Sequence, residues 1–131
     1  MIVLDEQLLG RNIEKDIEKW YAGKVIYINE LRPNTIIKDD AIPGLLRDQK
    51  KPVFITINEK DFWRKVEINE RFCVICLVLP DSRVREIPEL IRSLFRFPDF
   101  NTKSKRMGTV VRIADDRISY YTFQDKEIRS I

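Results

Sequence analysis

The chain has 131 residues, 44% hydrophobic and 34% charged, with 24 basic side chains against 21 acidic ones. That composition is expected of one soluble globular domain large enough to bury a core without staples, and neither half is a basic nucleic-acid arm. The chain has no histidine, which removes Ser-His-Asp, Cys-His and His-metal chemistry and leaves carboxylates, amides, hydroxyls, lysine or a bound metal.

Met1-Ile-Val-Leu4 reads as a buried strand that runs at once into Asp5-Glu6. A carboxylate so early, with no basic start, is unlike a signal peptide. No apolar run approaches the roughly 20 residues needed to cross a bilayer, so no membrane is expected and the cytoplasm is the expected compartment. Residues 6–21 read as one helix, because Leu9, Ile13, Ile17 and Trp20/Tyr21 recur at helical spacing while Glu14, Lys15, Glu18 and Lys19 share the other face. Lys24-Val-Ile-Tyr-Ile28 is a second strand, and a polar loop follows to Lys38. Asp39-Asp40 opens a short helix, since Asp is a good N-cap, Pro43 is tolerated in a first turn, and Ile42, Leu45 and Leu46 share a face.

Lys50-Lys51-Pro52 breaks that helix and leads into a third strand, 53–57, followed by a helical turn from Asp61 to about Val66. Residues 72–79 are apolar throughout and read as a strand buried on both faces. Cys73 and Cys76 in that strand have C-x-x-C spacing, but residues three apart in a strand face opposite ways, so they read as small apolar residues. Asp81 or Ser82 then caps a helix in which Ile87, Leu90, Ile91, Leu94 and Phe95 repeat, with Pro88 in its first turn. From Phe97 to Arg106 the chain reads as an irregular loop with a basic end. Thr109–Ile113 and Ile118–Phe123 read as a hairpin around Ala114-Asp-Asp116.

The order βαβαβ-turn-βα followed by ββ predicts a mostly parallel sheet with helices on both faces, in one domain spanning residues 1–131: a core at 1–95 and a basic loop plus hairpin at 96–131. If the chain turns back after strand two, strand three lies against strand one, and their carboxyl ends form the crevice where such folds place ligands. Asp5, Asn58 and Asp61 converge there, and Asp39-Asp40 reaches the same rim. Converging carboxylates repel one another unless some are protonated or a cation sits between them, and all-oxygen ligands favour Mg²⁺ or Mn²⁺. Thr56 and Asn58 add neutral oxygens, and Lys103, Lys105 and Arg106 are candidate phosphate contacts. The plain alternative for each Asp is a turn or helix cap, and for Phe62 and Trp63 it is core packing.

An N-terminal strand ending in Leu4-Asp5-Glu6, an Asp opening a short helix near residue 40, and Thr56-x-Asn58-x-x-Asp61-Phe62 after the third strand resemble the PIN-like family. More narrowly they resemble its compact branch, the DUF5615 or Mut7-C-like domains, over about residues 1–80. The resemblance implies a three-layer α/β/α PIN-like (Rossmann-like) fold and a Mg²⁺- or Mn²⁺-dependent ribonuclease, many relatives being toxins of toxin–antitoxin pairs. It implies an acidic site of Asp5, Asp39 or Asp40, and Asp61, with Asp5, Asp39 and Asp61 on the metal and Thr56 and Asn58 beside them. RNA, an antitoxin or other protein partner, and a second copy of the chain are the partners that follow. Where the compact branch often reads Thr-Asn-Asp-x-Asp-Phe, this chain has Asn58, or a ligand displaced to Glu59. That departure motivates a second expectation, a catalytically silent PIN-like module acting by protein association. A phosphoacceptor receiver domain is set aside, because strand three ends in Thr56-Ile-Asn58 and not in a phosphorylatable Asp.

Overall fold

The computed structural model describes residues 1–131. It holds one seven-stranded sheet in the order β2-β1-β3-β4-β5-β6-β7. The strands are β1 (Ile2–Leu4), β2 (Val25–Tyr27), β3 (Val53–Thr56), β4 (Cys73–Val78), β5 (Thr109–Ala114), β6 (Arg117–Thr122) and β7 (Arg129–Ser130). The first five are mutually parallel, and β6 and β7 close the sheet antiparallel. The chain therefore goes from β2 on one side of β1 to β3 on the other, with Ile2 opposite both Val25 and Val53. That reversal puts the switch-point crevice where the alternation of strands and helices predicts it.

Strand periodicity divides the interior into two layers. Ile2, Leu4, Val53, Ile55, Cys73, Ile75, Leu77, Val111 and Ile113 face α1 (Ile13–Glu18) and α4 (Ile87–Leu94). Val3, Phe54, Val74, Cys76 and Val110 face α2 (Ile42–Arg47) and α3 (Glu59–Phe62), through Ile42, Leu46 and Phe62. Cys73 and Cys76 fall in different layers, both free and fully buried. Burial pushes the Cys73 thiol up to about 11, so it is inert at neutral pH.

Three elements differ from the sequence expectation. The helix over 6–21 is a 3-10 turn, Glu6–Leu8, followed by the short α1, because Gly10 and Asn12 take left-handed backbone angles that end one element and start the next. Leu9, counted on the buried stripe, is left exposed. The helix before Pro88 is a 3-10 turn over Asp81–Glu86, opened by Pro80 with no side-chain cap, and the α-helix begins only at Ile87. The basic stretch after Phe97 is not all irregular: Lys103–Arg106 forms α5, whose N-cap Thr102 accepts a hydrogen bond from the Lys105 N–H at 3.2 Å.

The hairpin forms with Asp115 in the left-handed region at its turn. Its first strand also pairs parallel with β4, so residues 109–114 belong to the main sheet. No helix is long and apolar enough to cross a membrane.

Candidate functional site

Where β1 ends, the backbone stays pinned to β3 for one more residue: the Asp5 N–H donates to the Ile55 carbonyl at 2.9 Å. The Asp5 side chain is buried in the crevice, 6% exposed. Thr56, the last residue of β3, donates its hydroxyl to Asp5 Oδ2 at 2.6 Å and accepts the Asn58 N–H at 3.0 Å. Burial pushes the Asp5 carboxyl above the ordinary carboxylate range; the Thr56 hydroxyl and the Glu6 N–H oppose that, and the charges of Asp39 and Glu6 add to it. Asp5 stands at the N-cap of the Glu6–Leu8 turn but makes no side-chain cap.

The second half of the site comes from the turns that open α2 and α3, on the sheet face that Val3 and Phe54 share. Asp39 begins a 3-10 turn, Asp39–Ala41, that runs into α2; Lys38 is its N-cap and no side chain caps it. Asp61 lies in α3, where Asn58 holds the N-cap position and again makes no cap. Instead Asn58 Nδ2 donates to Asp61 Oδ2 at 2.7 Å. Asp39 and Asp61 line the same cleft: desolvation, then the proximity of Asp61, hold the Asp39 carboxyl above its ordinary range, and Asp40 and Glu6 add to this. Asp5, Asp39 and Asn58 thus all sit at helix starts without capping them.

An open cleft of about 870 Å³ lies over this corner, between α2 and α3. Asp39, Asp40 and Asp61 line it, and so do three basic side chains that sequence reading passed over, Arg32, Arg47 and Lys65. They come one each from the loop after β2, the end of α2 and the turn after α3, so no local run marks them.

Two groups of expected substrate contacts stand elsewhere. Thr56 has no exposed surface, and both sides of its hydroxyl are taken, so it positions Asp5 and does not touch a ligand. Lys103, Lys105 and Arg106 lie at the opposite end of the sheet: the charges of Lys103 and Arg106 act on the amino group of Met1, just before β1, and Ser104 between them accepts from Lys51, just before β3. Lys105 donates to the Pro98 carbonyl at 3.0 Å and to Asn101 Oδ1 at 3.2 Å. Arg106 is buried, stacks 3.9 Å over the Phe95 ring and donates to the Phe100 carbonyl at 2.8 Å. It folds the chain and faces no phosphate. Glu59 turns away too, pairing with Arg112 at 3.2 Å.

The donor set bears on a divalent ion directly. No group of three or more His, Cys, Asp or Glu side chains is arranged to hold a metal ion. The carboxylates of Asp39 and Asp61 are the kind of pair that Mg²⁺ accepts, since it keeps several waters and takes one or two carboxylates. Their mutual repulsion, with no cation from the chain paired to either, fits a hard ion at that point. Comparisons with protein-family descriptions, curated proteins and solved structures find no significant match.

Proposed function

We propose that the chain is a metal-dependent RNA endonuclease with a PIN-like fold, acting at the crevice between β1 and β3. The observation that carries this is the placing of Asp39 and Asp61 on one cleft, Asp61 held by Asn58, with the buried Asp5 feeling the charge of Asp39. The strand order and the position of the crevice also support it. A bound Mg²⁺ or Mn²⁺ would supply an activated water and neutralise charge on the scissile phosphodiester.

The chain's own residues prepare that chemistry. Asp39 and Asp61, which line one cleft, would hold the ion. Asn58 fixes the rotamer of Asp61 through Nδ2. Thr56 fixes Asp5, which feels the charge of Asp39. Asp40, on the same rim, adds negative potential. Purified protein incubated with structured and unstructured RNA, with Mn²⁺, Mg²⁺ or a chelator, tests the reading beside Asp39→Asn. Metal-dependent cleavage that drops in the variant supports it; cleavage unchanged in the variant or in chelator refutes it. Cleavage of this kind in a cell is what the toxin of a toxin–antitoxin pair supplies, and growth arrest on induction, relieved by Asp39→Asn, checks that role.

One observation favours a catalytically silent module acting by protein association. Asn58 points an amide donor at Asp61 and occupies one of its lone pairs, where a carboxylate would have joined the ligand set. A monomeric protein with metal-dependent cleavage rules this out.

A further inference from the structure

The cleft carries a contradiction in its charges. Five carboxylates and three cations line it, yet none of the ion pairs in the structure involves Arg32, Arg47 or Lys65. Nor does any of the three donate a side-chain hydrogen bond within the chain, whereas Lys51, Arg64, Arg83, Lys105 and Arg106 all do. These three cations, unpaired within the chain, share one cleft with the acidic pair and are free to meet phosphate groups from outside it. Arg47 is folded back over the short helix: a side-chain carbon built on Gly44 would lie 3.7 Å from its Nη2. Its guanidinium therefore stands beside Gly44 on the cleft wall.

We propose that Arg32, Arg47 and Lys65 grip the backbone phosphates of a single-stranded polynucleotide lying across the Asp39–Asp61 pair. The proposal rests on this cleft being the site of cleavage. Three cations at separate stations can follow successive phosphates. A cleft of about 870 Å³ has the size of a ligand pocket and not of a face that seats a duplex. Leu45 and Val66, both half-buried on its wall, offer apolar surface to a splayed base. The basic segment at 103–106 takes no part.

Binding of a short fluorescein-labelled single-stranded RNA is followed by anisotropy in a chelating buffer over a range of salt. Arg32→Gln/Arg47→Gln/Lys65→Gln is compared with Lys103→Gln/Lys105→Gln, and thermal melts show that both fold. The rim variant is expected to bind at least about tenfold more weakly, with the slope of log affinity against log salt flattened by about 2, near 0.7 for each lost single-strand contact. The 103/105 variant is expected to bind as the wild type does, and a duplex of equal length to compete poorly. Wild-type affinity and slope in the rim variant, an equal loss in the 103/105 variant, equal binding of duplex, or no salt-dependent binding by the wild type overturns the proposal. Cleavage of the same RNA with Mn²⁺ separates the two claims. A wild type that binds through the rim and never cleaves refutes the nuclease alone; one that cleaves while the rim variant still binds normally refutes the rim alone.

Discussion

Thr56 and Asp5 are joined by a 2.6 Å hydrogen bond from the Thr56 hydroxyl to Asp5 Oδ2, between residues that end neighbouring parallel strands. The same hydroxyl accepts the Asn58 N–H, so one buried oxygen ties β1, β3 and the start of α3 together. Thr56→Val keeps the shape and removes the oxygen, leaving a buried carboxylate and a backbone N–H short of partners. A loss of about 1–3 kcal/mol in urea unfolding is expected, with Thr56→Ser near wild type. Equal stability of Thr56→Val and wild type would mean the bond does not tie the strands.

Asp5 and Asp39 both have carboxyls held above their ordinary range, Asp5 by burial and Asp39 by partial burial and the charge of Asp61. A raised folded value means that the folded state holds the proton more tightly than the unfolded one. Their contribution to stability is full below the ordinary carboxylate value, about 4, and is lost as pH rises through the raised value. Without divalent ion, Asp5→Asn and Asp39→Asn should therefore melt above wild type at pH 7, with the gap closing as pH falls toward 4. A gap that widens on acidification reverses the sign and contradicts the geometry.

Sequence periodicity reveals the sheet well, because Ile2, Val3 and Leu4, or Cys73 through Leu77, are apolar at every position of a strand packed on both faces. It also places β3 against β1, and hence Asp5 beside Thr56. It misleads over 6–21, where a helical stripe runs through Gly10 and Asn12, whose left-handed angles end the turn. It misleads again at Arg106: three basic residues in a row of four look solvated, yet a guanidinium can lie buried against Phe95 with its charge met by a carbonyl. Arg32, Arg47 and Lys65 carry no local signal, since only the fold brings them to one cleft.

Phe62 is 2% exposed and its ring centroid stands 5.3 Å from that of Phe54, anchoring α3 to the sheet one residue from Asp61. Phe62→Ala is expected to cost about 3–5 kcal/mol by denaturant unfolding. Phe62→Leu should cost less and still weaken Mn²⁺ stabilisation, because α3 shifts against Asp39. Unchanged stability in Phe62→Ala would contradict its place in the core.

Asn58→Asp replaces the amide that donates to Asp61 with a third carboxylate at the rim. The metal-free variant is expected to melt below wild type at pH 7, through like-charge repulsion, and to gain more from Mn²⁺ in a thermal melt. No added response to Mn²⁺ would show that Asn58 does not face the ion site.

Mn²⁺ binding by electron paramagnetic resonance tests most directly whether the Asp39–Asp61 pair is a metal site. One saturable ion is expected at pH 7 in the wild type, with affinity falling by more than about 100-fold in Asp61→Asn, since even groups behind a ligand are worth 10–100-fold. Lys103→Gln should bind as the wild type does. No saturable binding by the wild type, or undiminished binding by Asp61→Asn, would contradict the account.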